Sequence, residues 1–276
     1  VILRVENLSV VYDGKPIIKD IGFEEKDTRR DGKVQGQTIA FLGRSGRGKS
    51  TLFRMLTGME TPTTGNVYVP DIEQYNQSAV IELKAVHEGD VGFVDQKYTL
   101  FRHKTVWQAL RFAMRRSKGT EKEIKENIER HLNEWGLAKV KDQYPNELSG
   151  GQRQRTAILE QLLSSGLYIV LDEPFSGVDA SAQAELMNVK QAFELVNNSH
   201  ELNTLIFSTH DIELAVELAD SIYIIGHPRQ ENGELAPYAT ILKHYDLKNL
   251  HLAWKGDLTK EHFDLVREIK QVMLNS

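Results

Sequence analysis

The run GRSGRGKST, Gly43 to Thr51, places two glycines, a lysine and a hydroxyl at the spacing G-x-x-x-x-G-K-[ST]. Small residues let successive backbone N–H groups close around phosphate oxygens. The Lys49 ammonium then reaches the β and γ phosphates of a nucleotide, and the Ser50 hydroxyl can ligate Mg²⁺. Arg44, Ser45, Gly46 and Arg47 fill the variable positions, and Gly48 leads into a helix whose N-terminal dipole favours the same anion. Further along, YIVLDEP delivers two adjacent carboxylates, Asp172 and Glu173, at the end of an apolar run. Alone, such a pair reads as a turn or helix cap; beside a phosphate loop it suits phosphoryl transfer to water. The aspartate would hold Mg²⁺ through one of the metal's waters while the neighbouring carboxylate orients the attacking water. A second anion-friendly start, LSGGQRQR from Leu148 to Arg155, has two adjacent glycines and no lysine. There Ser149 can cap a helix beside the amides of Gly150 and Gly151.

Positioning these groups requires strands that end where they begin. TIAFLG runs into the first glycine loop, and KSTLFRMLTG follows with apolar residues at helical spacing and a closing Gly58. Upstream, LRVENLSVVY and KPIIKDIGFEE read as strands, with EKDTRRDGKVQG an exposed, charged hairpin tip. Between Thr99 and Ser165 the pattern turns helical, in VWQALRFAMRR and EKEIKENIERHLNEWGL, with KDQYPNE as a proline-marked break. GLYIVLDEP then reads as a strand buried on both faces. ASAQAELMNVKQAFELVNN and DIELAVELAD read as helices, and NTLIFSTH and SIYIIG as strands. That alternation predicts a wound α/β sheet. The tail from His227 to Ser276 is less legible, although TKEHFDLVREIKQVML has helical spacing.

With its motifs in this order, the chain resembles the ATP-binding cassette (ABC) ATPases over nearly all of residues 1–226. The landmarks are GRSGRGKST, Gln96 in GFVDQ, LSGGQ, LDEPFSGVD and STHD. The resemblance implies an α/β fold: a P-loop NTPase (RecA-like) core with an antiparallel β subdomain and an inserted α-helical signature subdomain. Residues 1–98 and 166–226 would form the nucleotide-binding core, 99–165 the helical signature subdomain and 227–276 a C-terminal extension. It further implies ATP and Mg²⁺ as ligands. Tyr12 would stack on adenine, with a core or hairpin tyrosine as the competing reading. Residues Gly43 to Thr51 would hold the phosphates, and Ser50, Gln96 and Asp172 the metal. Glu173, His210, Gln96 and Lys49 would act on the γ-phosphate and the attacking water. Ser149, Gly150, Gly151 and Gln152 would meet ATP bound to a second cassette, and Asp179 would communicate across that dimer. Departures from the family pattern are RTAILEQLL after the signature, SSGLYIV without a preceding proline, and the long EEKDTRRDGKVQG connection.

Bulk properties agree with a folded, soluble-looking chain. It has 276 residues, 40% hydrophobic and 26% charged, enough for a sizeable core and against wholesale disorder. The absence of cysteine excludes disulfides, thiolate metal sites and cysteine nucleophiles. The net charge of −5, with both signs interspersed, disfavours nucleic acid as a partner. VILRVENLSVVYDG lacks the features of a secretory signal, and no run approaches the roughly 18 apolar residues of a spanning helix. What the resemblance implies as function is an ATP-hydrolysing subunit that dimerises head to tail and drives transport through separate membrane-spanning subunits. Its expected place is peripheral, on the cytoplasmic face of the inner membrane. Expected partners are a second ABC ATPase subunit, identical or a paralogue, and membrane permease subunits docking near QKYTLFRHKTVWQAL, with a substrate-binding protein as a further candidate. The wording of LFRHKTV and DEPFSGVD resembles bacterial importer-type cassettes. The alternative is a non-transport ABC ATPase in nucleic-acid repair, translation or cofactor assembly, and a catalytically quiet interaction module is a third reading.

Overall fold

The computed structural model describes residues 1–27, 36–72, 74–75, 82–175, 183–253, 255 and 258–275, with backbone alone for 183–186. The charged connection at 25–36 is not the tip of a hairpin, because the strand ending at Glu25 and the strand beginning at Gln37 lie in different sheets; its residues 28–35 and the segment 176–182, which includes Asp179, lie outside the described residues.

Two sheets organise the chain. Strands β1 (Leu3–Tyr12) and β2 (Lys15–Glu25) pair antiparallel around Asp13 and Gly14, whose φ values of 48° and 74° are those of a tight hairpin turn. Strand β4 (Thr64–Pro70) pairs with β1 and β5 (Leu83–Ala85) with β4, giving the order β2-β1-β4-β5. The second sheet holds β3 (Gln37–Leu42), β6 (Gly92–Val94), β7 (Tyr168–Leu171), β8 (Thr204–Thr209), β9 (Ser221–Gly226) and β10 (Thr240–Asp246). Its order is β10-β9-β3-β8-β7-β6, parallel from β9 to β6 with β10 antiparallel at one edge.

Every residue of β3, β7, β8 and β9 is buried, as continuous apolar strands covered on both faces must be. Successive side chains point to opposite faces and feed two cores. Ile39, Phe41, Tyr168, Val170, Ile206 and Tyr223 join the core shared with β1, β2 and helix α1 (Lys49–Leu56). Ala40, Leu42, Ile169, Leu171, Leu205 and Phe207 join the other. That second core is closed by α2 (Val106–Ala113), α3 (Glu121–Glu134), α4 (Gly150–Ser165), α5 (Gln183–Ser199), α6 (Ile212–Leu218) and α7 (Lys260–Leu274). Thr105 with Gln108, Thr120 with Glu123, and Ser149 with Gln152 each form a reciprocal capping box that starts α2, α3 and α4.

The tail does more than add a helix. Strand β10 extends the main sheet, and Leu265, Ile269 and Met273 of α7 enter its core. Just before β10, Ala239 exchanges backbone hydrogen bonds with Ile17 and Lys19 of β2 at 2.9 and 3.0 Å, tying the two sheets together.

Candidate active site

Parallel register carries four loops to one end of the main sheet. Leu42 pairs with Thr209, Leu171 with Phe207 and Val94 with Leu171, so β3, β8, β7 and β6 finish side by side. The residues leaving those ends are Gly43, His210, Asp172 with Glu173, and Gln96. Ligands of open α/β sheets sit at this carboxyl edge.

The glycine loop is built for close approach. A Cβ on Gly43 would stand 2.6 Å from the Ile225 carbonyl oxygen, and Gly48, the residue before α1, has φ 81°. Both positions exclude larger residues on steric grounds. Helix α1 is anchored by buried Leu52, Phe53, Met55 and Leu56. Lys49, only 4% exposed, projects back into the loop. Its Nζ donates to the carbonyls of Gly43 at 2.6 Å and Arg44 at 3.2 Å, and lies 3.3 Å from Glu173 Oε1. Arg44, Ser45, Gly46 and Ser50 are exposed, Arg47 is half-buried and Thr51 buried.

Around Asp172 the polar groups are paired. Ser50 Oγ donates to Asp172 Oδ2 at 2.6 Å, and Ser208 Oγ donates to Oδ1 at 2.7 Å. The same Ser208 oxygen accepts the Glu173 amide at 2.8 Å. Glu173 has φ 47°, a left-handed conformation that a non-glycine residue adopts at a cost of about 1–3 kcal/mol. His210, 66% exposed, brings Nδ1 to 3.9 Å from Glu173 Oε2. Lys49, Ser50, Asp172, Glu173 and His210 thus converge on one spot. Gln96 is exposed just past β6 at the same sheet edge.

Other predicted residues gather elsewhere. Ser149, Gly150, Gly151 and Gln152 open α4, where Ser149 N donates to Gln152 Oε1 at 2.9 Å and Gln152 N returns to Ser149 Oγ at 3.3 Å. A Cβ on Gly151 would meet Asn188 Nδ2 at 2.6 Å, so this helix start is seated directly on α5. Tyr12 ends β1 half in solvent, and its hydroxyl donates to the Glu60 carboxylate. That bond raises the Tyr12 pKa and lowers that of Glu60, which also accepts from Arg54 at 2.8 Å.

Ser208 was not among the predicted site residues. The available signal was a hydroxyl within the fully buried strand NTLIFST, which must find a partner there. Tyr98 and Gln154 were likewise missed: the Tyr98 hydroxyl donates to the Pro174 carbonyl and accepts from Gln154 Nε2 at 2.6 Å.

A family model described as ABC transporter matches residues 33–176. The chain belongs to the ABC transporter family. The sulfate/thiosulfate import ATP-binding protein CysA of Synechococcus elongatus is 36% identical over 229 residues, covering 83% of this chain and 61% of that protein. CysA of Pseudomonas aeruginosa is 36% identical over 230 residues, covering 81% and 63%. The chain therefore spans little more than three fifths of these relatives' lengths. Among solved structures, cbiO1 from Clostridium perfringens, part of the ABC transporter complex cbiONQ, superposes with a TM-score of 0.69 at 23% identity, covering 99% of this chain and 97% of that one. An ATP binding subunit of an ABC transporter gives 0.62 at 20% identity, covering 97% and 100%. The fold is that of the P-loop NTPase nucleotide-binding domains of ABC ATPases.

Proposed function

We propose that this chain is the ATP-binding and ATP-hydrolysing subunit of an import-type transporter, working as a head-to-tail pair on separate membrane subunits. The observation that carries the reading is the convergence of Lys49, Ser50, Asp172, Glu173 and His210 at the carboxyl edge of the parallel sheet. Relatives named as import ATP-binding proteins support the transport role. Among the described residues no helix is long and apolar enough to cross a membrane, which suits a subunit whose partners do the spanning.

Phosphoryl transfer to water asks for placement and for charge at the transferring group. Lys49, held by two loop carbonyls, supplies a fixed positive charge for the β and γ phosphates. Tyr12 is the adenine platform. Glu173 polarises the attacking water, and His210 beside it holds the γ-phosphate in line. The donor set also fits Mg²⁺: the Ser50 hydroxyl and an Asp172 carboxylate oxygen, 2.6 Å apart, are hard oxygen ligands, with Gln96 at the same edge. When bound, Mg²⁺ neutralises charge on the phosphate oxygens.

The signature at Ser149 to Gln152 meets ATP on the partner chain, and Asp179 serves communication across the pair. Permease loops dock in the groove of about 600 Å³ bordered by Tyr98, Leu100, Arg102, Pro145 and Arg153. Phe101 and Phe112, edge to face at 5.4 Å and both exposed, lie in the segment that follows Gln96. On this reading the chain works at the cytoplasmic membrane surface, with a substrate-binding protein on the far side of its permeases. The sulfate and thiosulfate in the relatives' names belong to those proteins; here substrate choice falls to the membrane and binding subunits.

The decisive experiment is Glu173→Gln. ATP affinity measured by calorimetry is expected to stay within about threefold of wild type while steady-state phosphate release falls at least about a hundredfold. Hydrolysis within about threefold of wild type would remove Glu173 from this role. Copurification of a permease in mild detergent tests the transport half.

A further inference from the structure

Three segments far apart in the chain meet at one phenol. Tyr98 follows Gln96 in the loop after β6, Gln154 lies on α4 just past the signature, and Pro174 directly follows Glu173. The Tyr98 hydroxyl spends its single proton on the Pro174 carbonyl and accepts from Gln154 Nε2 at 2.6 Å. The same Gln154 nitrogen stands 3.4 Å from the Pro174 carbonyl, so both side chains converge on that oxygen.

Each participant is held in place. Asp95 fixes the loop that carries Tyr98: its Oδ1 accepts the amides of Lys97 at 3.0 Å and Thr99 at 3.1 Å, and its Oδ2 accepts the Thr99 hydroxyl at 2.6 Å. Tyr98 itself has φ 50°. Gln154 is 4% exposed, where a donor without a partner is costly and a hydrogen bond is electrostatically strong. Glu173, in its left-handed conformation, is anchored on one side by Ser208 Oγ at its amide and on the other by this pair at the next carbonyl.

We propose that Tyr98 is a positioning residue for ATP hydrolysis. Its hydroxyl locks the Pro174 carbonyl, one peptide beyond Glu173, to Gln154 on α4, the helix that presents the signature. The place of the Glu173 carboxylate then depends on where the signature helix stands, and removing the hydroxyl frees the strained Glu173–Pro174 segment to relax. The proposal rests on the reading of Glu173 given above.

The test compares the unaltered chain with Tyr98→Phe, which keeps the ring, Gln154→Met, which keeps the bulk, and the double variant, at protein concentrations where the chain pairs. ATP stoichiometry and affinity by calorimetry are expected to stay within about twofold of wild type. Turnover per bound nucleotide is expected to fall about tenfold in Tyr98→Phe. The double variant should fall no further than the worse single one, because the two groups act on the same carbonyl. Turnover within about twofold of wild type in Tyr98→Phe, a fall matched by an equal loss of binding stoichiometry, or losses that multiply in the double variant would each overturn the proposal. Glu173→Gln run in parallel separates the two claims. Turnover surviving there removes the reading of Glu173; turnover abolished there and intact in Tyr98→Phe removes the latch alone.

Discussion

Asp172 offers two carboxylate oxygens, and a serine donates to each: Ser50 from the glycine loop to Oδ2, Ser208 from β8 to Oδ1. Ser208 serves two groups at once, since it also accepts the Glu173 amide. Ser208→Ala therefore takes a donor from Asp172 and the acceptor from a partly buried amide, a loss of about 1–3 kcal/mol. The expected result is a lower urea midpoint with an unchanged slope, together with reduced turnover. A midpoint equal to wild type would show that the hydroxyl does not support this segment. Lys49, Ser50, Asp172 and Glu173 were legible in the sequence because each belongs to a contiguous run whose spacing is the signal. Ser208 was not, because its role exists only when β7 and β8 lie side by side with Leu171 opposite Phe207. Pairing of that kind is not written in local spacing.

At the scale of elements, α4 carries an unusual burden. It is buried along much of its length, and Glu160, one of the residues that departs from the family's usual small and basic pattern, is only 7% exposed. Burial pushes its carboxyl up to about 7, against the opposing pull of Arg115 and Lys104. The ordinary value is 4.5, so between these two pH values the folded chain holds a proton that the unfolded chain has lost. Stability from this group is greatest at or below the lower value and declines as pH rises through about 7. The full decline is about 3 kcal/mol, from the pKa difference. Glu160→Gln removes it. In urea titrations the variant should gain on wild type by about 2–3 kcal/mol between pH 5 and pH 8. A stability difference that is the same at both pH values would place the Glu160 carboxyl outside the folding equilibrium. The departure in RTAILEQLL was legible, but its burial was not. Strand β10 was missed for a related reason: TILKHYD sits at a sheet edge with only Tyr245 buried, so it lacks the alternation that marks a half-buried strand.

For the whole molecule, the issue is that one chain carries two unlike glycine-containing helix starts at separate places. The loop around Lys49 contains its own cation and faces the paired carboxylates, whereas Ser149 and Gly150 are exposed at the start of α4 with no lysine between them. Their helix start is seated on α5 through the close approach of Gly151 to Asn188, so the signature is part of a packed element. From sequence, the missing lysine makes this run an expected half of a site, the other half lying on a second chain. The Ser149–Gln152 capping box fixes this helix start within the chain itself. Ser149→Arg breaks the cap, at about 1 kcal/mol, and sets a bulky cation where a partner's nucleotide would approach. That cost is small against the stability of a domain this size. In a Glu173→Gln background, light scattering should then show ATP-dependent dimers for the parent and monomers for the Ser149→Arg variant, while ATP affinity stays within about twofold. Ser149→Ala, which loses the cap without adding bulk, should still dimerise. Dimers of undiminished stability in Ser149→Arg would mean that the signature faces something other than the nucleotide of a second cassette, and the pairing itself would then have to rest on a different surface.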